Sequence, residues 1–370
     1  MQITLIISSL SGGGAERVLV LLAEGFLKKG HQVAVVTIYG VEVDFYNLPN
    51  TVNRLALNIS KDSPTIIHGL WHNLQRLFRL RQAIKSTQPN VVISFLDTTN
   101  VLTLISLIGT NYPVFPTEHC DPNLNYCGKI WDLLRRITYF RAAKVVSVSR
   151  GVDNYFSWLP KIKRAVIYNP LIKIKDEPNT SSLPKGANSE KKWVVAMGRL
   201  KYQKGFDILL YAFKQIAAKF TDWQIIILGE GVERTNLENL RESLALTDQV
   251  VLPGQIKNPF PILKRSQLFV MSSRFEGFGN VLIEAMACGL AVISTDCPSG
   301  PREIISDGID GILVANEDVS ALAAAMDNLM SNEALRKSLA AQAVKVAERF
   351  SLEKVTEIWE NVINEVITKS

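Results

Sequence analysis

The chain has 370 residues, of which 47% are apolar and 21% charged, and its formal net charge is +6. This composition excludes a disordered protein, and the length predicts two domains of roughly 150–200 residues. The four cysteines form no C-x-x-C pair, which argues against a zinc site and favours a reducing, cytoplasmic compartment. No apolar run approaches the ~20 residues of a membrane span, and the N-terminus is typical of a first strand.

The positive charge lies in the first half of the chain. Residues 1–170 hold 18 Lys and Arg against 10 Asp and Glu, a net +8, whereas the remaining 200 residues hold 23 against 25, a net −2. Such asymmetry predicts that the first half meets something anionic. Acidic lipid and a phosphorylated substrate both fit, while the absence of a recognised reader motif disfavours nucleic acid.

Short β-branched runs alternate with longer helical patterns, which predicts parallel sheets covered by helices. In the first half the predicted strands are Ile3–Ser8, Val33–Ile38, Val91–Phe95, Val114–Thr117, Val145–Val148 and Ala165–Tyr168. In the second half they are Trp193–Met197, Gln224–Leu228, Val250–Leu252, Leu268–Met271, Ala291–Ser294 and Gly311–Val314. The predicted fold class is α/β, with two doubly wound, Rossmann-like domains that face each other across a cleft.

A polar segment, residues 171–192, separates the two alternating halves and is predicted to be a linker. It divides a first domain, residues 1–170, from a second domain, residues 193–350. The tail, residues 351–370, has helical spacing and is expected to pack back onto the first domain. The residues predicted to share its apolar side are Val355, Ile358, Trp359, Val362 and Val366.

Glycines follow the first predicted strand, in the segment Ser11–Glu16. Gly13 and Gly14 allow a tight turn and a close approach to a ligand, and the helix that begins near Ala15 offers its N-terminus to an anion. The pattern is not G-x-G-x-x-G, so a dinucleotide site is a weak interpretation. A plain strand-to-helix turn remains the alternative.

Two helices of the first half, Thr65–Lys85 and Lys129–Lys144, are predicted to be basic and amphipathic. The residues of the first that would meet a membrane are Arg76, Arg79, Arg81 and Trp71. The apolar stripe of the second consists of Ile130, Leu133, Leu134 and Ile137. Such helices can lie in a membrane interface, but they are more often surface helices with the apolar stripe on the core. Both interpretations stay open.

Polar residues end two neighbouring predicted strands. Glu118 and His119 follow Val114–Thr117, and Asp97–Asn100 follows Val91–Phe95. Because ligands bind at the carboxyl ends of parallel strands, His119 is a candidate for contact with a substrate hydroxyl or carbonyl. The alternatives are a histidine that caps a loop and a polar cluster that caps the next helix.

Arg199 and Lys204 lie on the loop predicted after Trp193–Met197. Two cations at this position would neutralise a diphosphate and stabilise it as a leaving group, although a surface charge pair is the alternative. The chain contains no D-x-D motif, no Walker loop and no G-x-S-x-G elbow. We therefore expect no metal cofactor.

The segment Phe275–Pro298 carries Glu276 and Glu284, eight positions apart across a predicted loop and helix. The residues at the predicted helix start are Phe278, Gly279 and Asn280. Unpaired backbone N–H groups and the helix dipole favour an anion at such a position. A carboxylate on each side of it suits a ligand with hydroxyls on both sides of a phosphate, which predicts a nucleotide-sugar site.

Together these motifs resemble the retaining glycosyltransferases of GT-B fold in glycosyltransferase family 4, the glycosyl transferases group 1. The segments that carry the resemblance are SGGGAER near the start, TEH at 117–119, GRLKYQKG at 198–205 and FEGFGNVLIEAMACGLAVIST at 275–295. Within the family, SFLDTTN at 94–100 and CPSGPREIISDGIDGILV at 297–314 resemble bacterial N-acetylgalactosamine transferases that extend undecaprenyl-diphosphate-linked glycans. Linker residues 173–192 match no recognised pattern.

The resemblance implies a role for each matching position. Arg199 and Lys204 would hold the donor diphosphate, Glu284 the ribose and Glu276 the sugar hydroxyls. The backbone amides implied at the sugar and phosphate are those of Phe278, Gly279, Asn280 and Val281. Further implied contacts are His119 with the sugar, Gly13 and Gly14 with the diphosphate or acceptor, and Gln255 and Ile256 with the base. No protein nucleophile is implied, because the leaving phosphate would accept the acceptor's proton.

The resemblance also implies partners and a location. The donor would be a UDP-sugar bound by the second domain, without a metal cofactor, and the acceptor a lipid-linked glycan bound by the first. The enzyme would then be peripheral on the cytoplasmic face of the inner membrane, in contact through Thr65–Lys85. Three alternatives remain: a GDP-sugar-dependent O-antigen or capsule transferase, a nucleotide-sugar 2-epimerase, and a glycolipid-binding module without turnover.

Overall fold

Parallel strands that alternate with helices build both halves of the chain. The computed structural model describes residues 1–59, 66–124, 126–174 and 183–368, and within 66–73 it describes the backbone alone. The chain divides into unit 1, formed by Met1–Pro170 with Phe350–Ser370, and unit 2, formed by Leu171–Arg349.

Unit 1 is a doubly wound α/β unit. Its strands are β1 (Gln2–Ile7), β2 (Gln32–Thr37), β3 (Asn53–Ala56), β4 (Val91–Phe95), β5 (Val114–Glu118), β6 (Val145–Ser147) and β7 (Arg164–Val166). Before the linker its helices are α1 (Gly14–Lys28), α2 (Ile66–Ser86), α3 (Asp97–Ser106), α4 (Lys129–Thr138) and α5 (Arg150–Tyr155). Short 3₁₀ turns cover Val41–Val43, Tyr139–Arg141, Phe156–Trp158 and Lys161–Lys163. The strand order is β3-β2-β1-β4-β5-β6-β7, with every pairing parallel.

Unit 2 has the same architecture. Its strands are β8 (Lys192–Met197), β9 (Trp223–Leu228), β10 (Val250–Gly254), β11 (Leu268–Met271), β12 (Ala291–Thr295) and β13 (Ile312–Val314). Its helices are α6 (Phe206–Ile216), α7 (Arg234–Ser243), α8 (Phe260–Arg265), α9 (Asn280–Ala287), α10 (Pro301–Ile304), α11 (Val319–Ser331), α12 (Glu333–Ala343) and α13 (Val346–Arg349). A 3₁₀ turn covers Tyr202–Lys204. The strand order is β10-β9-β8-β11-β12-β13, again parallel throughout.

The predicted α/β fold with two Rossmann-like sheets is confirmed, and each predicted strand lies within one or two residues of an observed one. Strands such as β4 and β5 are buried along their whole length, because helices cover both faces of a parallel sheet. The sequence analysis missed β3, whose residues NRLA are partly exposed at the sheet edge. An edge strand that contains Asn and Arg lacks the apolar pattern on which strand prediction depends.

The last helix, α14 (Leu352–Ile367), packs on α1 of unit 1. Val355, Trp359 and Ile363 enter the core of unit 1. Ile358 was predicted on this side but is 37% exposed, whereas Ile363 is fully buried. Val355, Trp359 and Ile363, spaced four positions apart, form the buried stripe of α14. Ile358 precedes Trp359 and lies outside this stripe, so the prediction that it shares the buried side is wrong.

Helix α4 presents its apolar stripe to solvent, so its interpretation as an ordinary surface helix is wrong. Ile130, Leu133 and Ile137 are 73%, 57% and 60% exposed. Arg135 is 2% exposed on the inner side. Asp97 and Glu118 lie beneath α4, and their contacts with Arg135 fix this orientation.

In α2, two of the arginines predicted to meet a membrane donate hydrogen bonds to backbone carbonyls. Arg76 Nε donates to the carbonyl of Ile59 at 2.9 Å. Arg81 Nη1 donates to the carbonyls of Ser106 and Ile108 at 2.7 and 2.8 Å, at the end of α3. Arg79 is exposed, and the side chain of Trp71 lies outside the described residues.

Among the residues that the structure describes, no helix combines the length and the apolar character needed to cross a bilayer.

Replacing Trp359 with Ala should destabilise unit 1. The indole is 3% exposed and meets the ring of Phe115 edge-to-face at 6.4 Å, so its loss leaves a cavity that we expect to lower the free energy of unfolding by about 3 kcal/mol or more. The control is Ile358→Ala on the same helix, for which we expect less than about 1 kcal/mol. Urea unfolding followed by circular dichroism measures both variants, and equal effects would contradict the observed packing.

Candidate functional site

The candidate site in unit 2 lies where its strand order reverses. The chain runs from β8 outward through β9 to β10 and then returns to the other side of β8 with β11. The carboxyl ends of β8 and β11 therefore border a topological switch point, the usual ligand-binding position in a doubly wound sheet. The loops at this point are residues 198–205 and residues 272–279.

These two loops bring Lys204 and Glu276 into direct contact. Lys204 Nζ donates to Glu276 Oε1 at 2.5 Å, and Ser273 Oγ donates to the same oxygen at 2.6 Å. The side chains of Lys204 and Glu276 are only 15% and 7% exposed. Because partial burial weakens solvent screening, this charge pair neutralises both groups and holds them at the sheet edge. The sequence analysis placed both residues in one site but predicted neither their contact nor the role of Ser273.

Two glycines make this contact possible. A Cβ on Gly198 would lie 3.1 Å from Lys204 Cδ, so the absence of a side chain leaves room for the lysine stem. Gly205 has φ +58°, and a Cβ there would lie 2.1 Å from the carbonyl oxygen of Ser272. A residue other than glycine at 205 would therefore combine an unfavourable backbone conformation with a clash.

Arg199 is exposed on the same loop as Lys204. The neighbouring backbone is packed tightly, since a Cβ on Gly229 would lie 1.9 Å from the carbonyl oxygen of Gly198 and one on Gly231 would lie 2.3 Å from that of Leu200. The backbone on both sides of Arg199 is therefore closely packed, and Arg199 itself is exposed. This arrangement leaves a cation beside the Lys204 loop that can meet an anionic ligand.

Helix α9 begins immediately after the Glu276 loop. Its N-cap is Gly279, with φ +106° and no side-chain cap. Ser299 Oγ donates to the carbonyl of Glu276 at 2.9 Å, and a Cβ on Gly300 would lie 2.1 Å from the carbonyl oxygen of Phe278. The loop after β12 therefore supports the backbone that leads into α9, a contribution that the sequence analysis did not assign to Ser299 and Gly300.

The first turn of α9 carries Asn280 and Val281, both partly buried. One turn later Glu284 is 2% exposed. Burial, with a contribution from the Glu284 carboxylate, raises the pKa of the Cys288 thiol to about 12. Glu276 thus precedes the start of α9 in the chain, and Glu284 lies one turn inside the helix. Gln255, exposed, and Ile256, partly buried, follow β10 farther along the sheet.

In unit 1 the strand order reverses between β1 and β4. Gly13 is the N-cap of α1, and its N–H donates to the carbonyl of Ser11 at 2.8 Å. The Glu16 carboxylate folds back over this turn, since a Cβ on Gly13 would lie 2.1 Å from Glu16 Oε2. A carboxylate of the protein itself therefore lies at the helix start that the sequence predicted for an anionic ligand, next to the exposed Gly14.

His119 follows β5 at the same edge of the sheet. Its Nε2 lies 3.1 Å from Thr117 Oγ1, and its ring stacks on Phe95 with a centroid distance of 5.6 Å. Burial lowers the pKa of His119 to about 4, although the charge of Asp97 opposes this effect. The imidazole is therefore neutral near pH 7, and it can exchange hydrogen bonds with a ligand but cannot supply a positive charge.

Glu118 points into the protein rather than towards a ligand. It is fully buried and accepts a hydrogen bond from the Tyr139 hydroxyl and one from Asn100 Nδ2 at 3.3 Å. Arg135 Nε lies 3.8 Å from Glu118 Oε1, and Arg135 Nη2 lies 3.5 Å from Asp97 Oδ2. Burial raises the pKa of Glu118 well above its ordinary value, with a further increase from Asp97 and an opposing effect from Arg135.

The segment Asp97–Asn100 contributes to this buried network. Asp97 opens α3 and accepts a hydrogen bond from Cys127 Sγ at 2.7 Å. Asn100 receives a hydrogen bond from Ser94 Oγ at 2.7 Å and donates to the carbonyl of Thr117 at 2.9 Å, which ties β4 to β5. Leu96, which precedes Asp97, has φ +73°, an uncommon conformation for a residue with a side chain.

No group of three or more His, Cys, Asp and Glu side chains arranged to hold a metal ion occurs among the described residues.

Comparison with known proteins follows the same division of the chain. Residues 12–171 match the family described as Glycosyltransferase Family 4, and residues 180–346 match Glycosyl transferases group 1. Two solved structures show the same fold: HepE of Anabaena, in complex with UDP (TM-score 0.78, 17% identity, 99% of this chain and 100% of that chain), and sucrose-phosphate synthase of Thermosynechococcus elongatus (TM-score 0.83, 19% identity, 100% of both chains).

Two curated relatives come from Campylobacter jejuni. The chain is 31% identical over 368 residues, 99% of both proteins, to GalNAc-alpha-(1->4)-GalNAc-alpha-(1->3)-diNAcBac-PP-undecaprenol alpha-1,4-N-acetyl-D-galactosaminyltransferase. It is 27% identical over 366 residues, 96% of this chain and 97% of the relative, to N-acetylgalactosamine-N,N'-diacetylbacillosaminyl-diphospho-undecaprenol 4-alpha-N-acetylgalactosaminyltransferase.

The two Rossmann-like sheets and the structural neighbours show the GT-B fold. The chain belongs to glycosyltransferase family 4, the glycosyl transferases group 1, and is a hexosyltransferase. The predictions of family, fold and enzyme class are confirmed.

His119 should stay neutral across the physiological pH range. Since burial disfavours the imidazolium, we expect its ring resonances to titrate near pH 4 rather than near the ordinary value of about 6.5. With four histidines in the chain, the spectrum of His119→Gln assigns the signal by its absence. A transition near pH 6.5 would show that His119 is more hydrated than the structure indicates.

Proposed function

We propose that this enzyme transfers a sugar from a UDP-sugar to an undecaprenyl-diphosphate-linked oligosaccharide, with retention of anomeric configuration. N-acetylgalactosamine, or a related hexose, is the donor sugar that we favour. Support comes from the activities for which the two Campylobacter jejuni relatives are named, and both relatives align over nearly the full length of this chain. The UDP in the HepE complex supports a uridine donor at the level of the fold.

The observation that carries the proposal is the partly buried Lys204–Glu276 pair at the switch point of unit 2. A lysine held in place by a carboxylate is ready to bind a diphosphate, and the freed carboxylate can then accept hydrogen bonds from sugar hydroxyls. In this assignment Arg199 supplies a second cation, and Glu284 binds the ribose. Gln255 and Ile256 contact the base.

In the proposed reaction the bond between the sugar C1 and the donor phosphate oxygen breaks, and a bond forms between C1 and an acceptor hydroxyl oxygen. The hydroxyl proton passes to the leaving phosphate on the same face of the sugar. Lys204, Arg199 and the amides at the start of α9 stabilise the charge that develops on that phosphate. No protein nucleophile and no metal ion takes part, so Glu276 orients the sugar.

For unit 1 we propose that His119, as a neutral imidazole, binds a hydroxyl of the transferred sugar. Gly13 and Gly14 are assigned to the diphosphate or the acceptor, although any anion there must share the turn with the Glu16 carboxylate. The net charge of +8 in residues 1–170 supports binding of a lipid diphosphate, with the enzyme peripheral on the cytoplasmic face of the inner membrane.

Transfer can be tested directly. The protein is incubated with a panel of UDP- and GDP-sugars and an undecaprenyl-diphosphate-linked oligosaccharide in the presence of EDTA. We expect a longer glycan from a UDP-sugar, with an α-linkage by NMR from an α-linked donor. A β-linked product would exclude retention. Transfer from a GDP-sugar would favour the O-antigen or capsule transferase. Isomerisation of the donor without acceptor would favour the 2-epimerase, and binding without product would favour the glycolipid-binding module.

Replacing Lys204 with Ala should lower kcat by about 10² or more, because a leaving-group contact acts mainly in the transition state. The control is Lys201→Ala, which removes an exposed lysine three positions earlier on the same loop and should leave kcat unchanged. Circular dichroism establishes that both variants fold. A near-normal kcat in folded Lys204→Ala would remove Lys204 from the mechanism.

A further inference from the structure

Helix α4 and the 3₁₀ turn after it carry an exposed apolar stripe, which we call the α4 face. It consists of Ile130, Leu133, Ile137 and Phe140, which are 73%, 57%, 60% and 56% exposed. Their spacing of three or four positions puts them on one side of the helix over about 15 Å. Large apolar side chains that are aligned and exposed in this way are typical of a surface that binds a protein or a membrane.

The buried network of unit 1 fixes this orientation. Arg135, on the opposite side of α4, lies 3.8 Å from Glu118 and 3.5 Å from Asp97. Asp132 also points inward, where it accepts a hydrogen bond from the Tyr155 hydroxyl at 2.5 Å. Rotating α4 to bury the apolar stripe would expose Arg135 and leave Glu118 and Asp97 buried without their cation. The buried contacts of Arg135 therefore keep the apolar stripe of α4 exposed.

The segment that carries the α4 face, residues 129–163, is predominantly basic. Residues 129–163 contain eight Lys and Arg and two Asp, a net charge of +6. Both aspartates are already paired, Asp132 with Arg135 and Arg136, and Asp153 with Arg164. The bases exposed in this segment are Lys129, Arg136, Arg141, Arg150 and Lys161. An apolar stripe with a basic border is complementary to a bilayer that carries anionic headgroups.

We propose that the α4 face docks the enzyme on an anionic lipid surface. The four apolar side chains enter the boundary between headgroups and acyl chains, and the bordering bases contact lipid phosphates. This inference rests on the proposed function in one respect, since a lipid-linked acceptor gives the docking its purpose. It assigns the contact to α4, whereas the sequence analysis assigned it to α2, where Arg76 and Arg81 bind backbone carbonyls.

Vesicle flotation tests the α4 face. The full chain is mixed with vesicles of phosphatidylglycerol and phosphatidylethanolamine, and separately with vesicles of phosphatidylcholine. We expect flotation with the anionic vesicles, weaker flotation with phosphatidylcholine, and a decrease with added salt. The variant with Ile130→Ser, Leu133→Ser and Ile137→Ser should partition at least about tenfold less into anionic vesicles.

A matched control changes equally exposed apolar residues elsewhere. Val232 and Ile309 of unit 2 are 80% and 61% exposed, and Val232→Ser with Ile309→Ser should leave flotation unchanged. Arg141→Gln and Lys161→Gln test the basic border, and each should lower binding to anionic vesicles by about fivefold. Because all these side chains are on the surface, circular dichroism should show folded protein in every case.

Three results would overturn the proposal: no flotation of the wild type, unchanged flotation of the triple serine variant, or a wild-type dimer that the triple variant abolishes in light scattering. The last result would make the α4 face an interface between copies of the chain. With a short-chain, water-soluble acceptor the triple variant should transfer sugar as the wild type does. Failure of the wild type on every acceptor would count against the proposed function and leave the flotation result unaffected.

Discussion

The order of the strands reverses beside the first strand of each sheet, and the contact between Lys204 and Glu276 depends on that reversal. Parallel strands bring all their carboxyl ends to one edge, and the reversal leaves two loops there with no crossover between them. In unit 2 these loops carry Lys204 and Glu276, and in unit 1 they carry Gly13 and Asp97. Residues that are far apart in the sequence therefore lie at the same edge of the sheet.

The buried charged groups have different kinds of partners in the two units. In unit 2 a lysine and a carboxylate pair at the carboxyl end of the sheet, with one serine as support, and in the proposed reaction a diphosphate and a sugar replace these partners. In unit 1, Glu118 is enclosed by Tyr139, Asn100 and Arg135, and no exposed atom remains for a substrate. The first arrangement can exchange partners, whereas the second fixes helix α4 and thereby its exposed apolar side.

The alternation of apolar runs with helical patterns made the strands and the two-sheet architecture predictable. Strands that are buried on both faces have continuous apolar sequences, which are easy to recognise. It failed at β3, an edge strand with polar residues, and at Ile358, where a difference of one position moves a side chain out of the core. The candidate donor-binding residues were recognisable because Arg199, Lys204 and Glu276 lie in loops after predicted strands and Glu284 lies in the helix predicted next. Ser273, Ser299 and Gly300 were not, since single small residues have no pattern of their own.

The sequence by itself determined the α/β architecture, the uneven charge and the residues that surround the start of α9. These properties depend on local periodicity and on residue type, which can be read along the chain. Only the tertiary structure decided that Lys204 contacts Glu276, that Glu118 is a buried residue and that α4 turns its apolar side outward. Each of these outcomes depends on which charged groups find partners across distant segments, and the free energy of leaving a buried charge unpaired outweighs the local preference of one helix face.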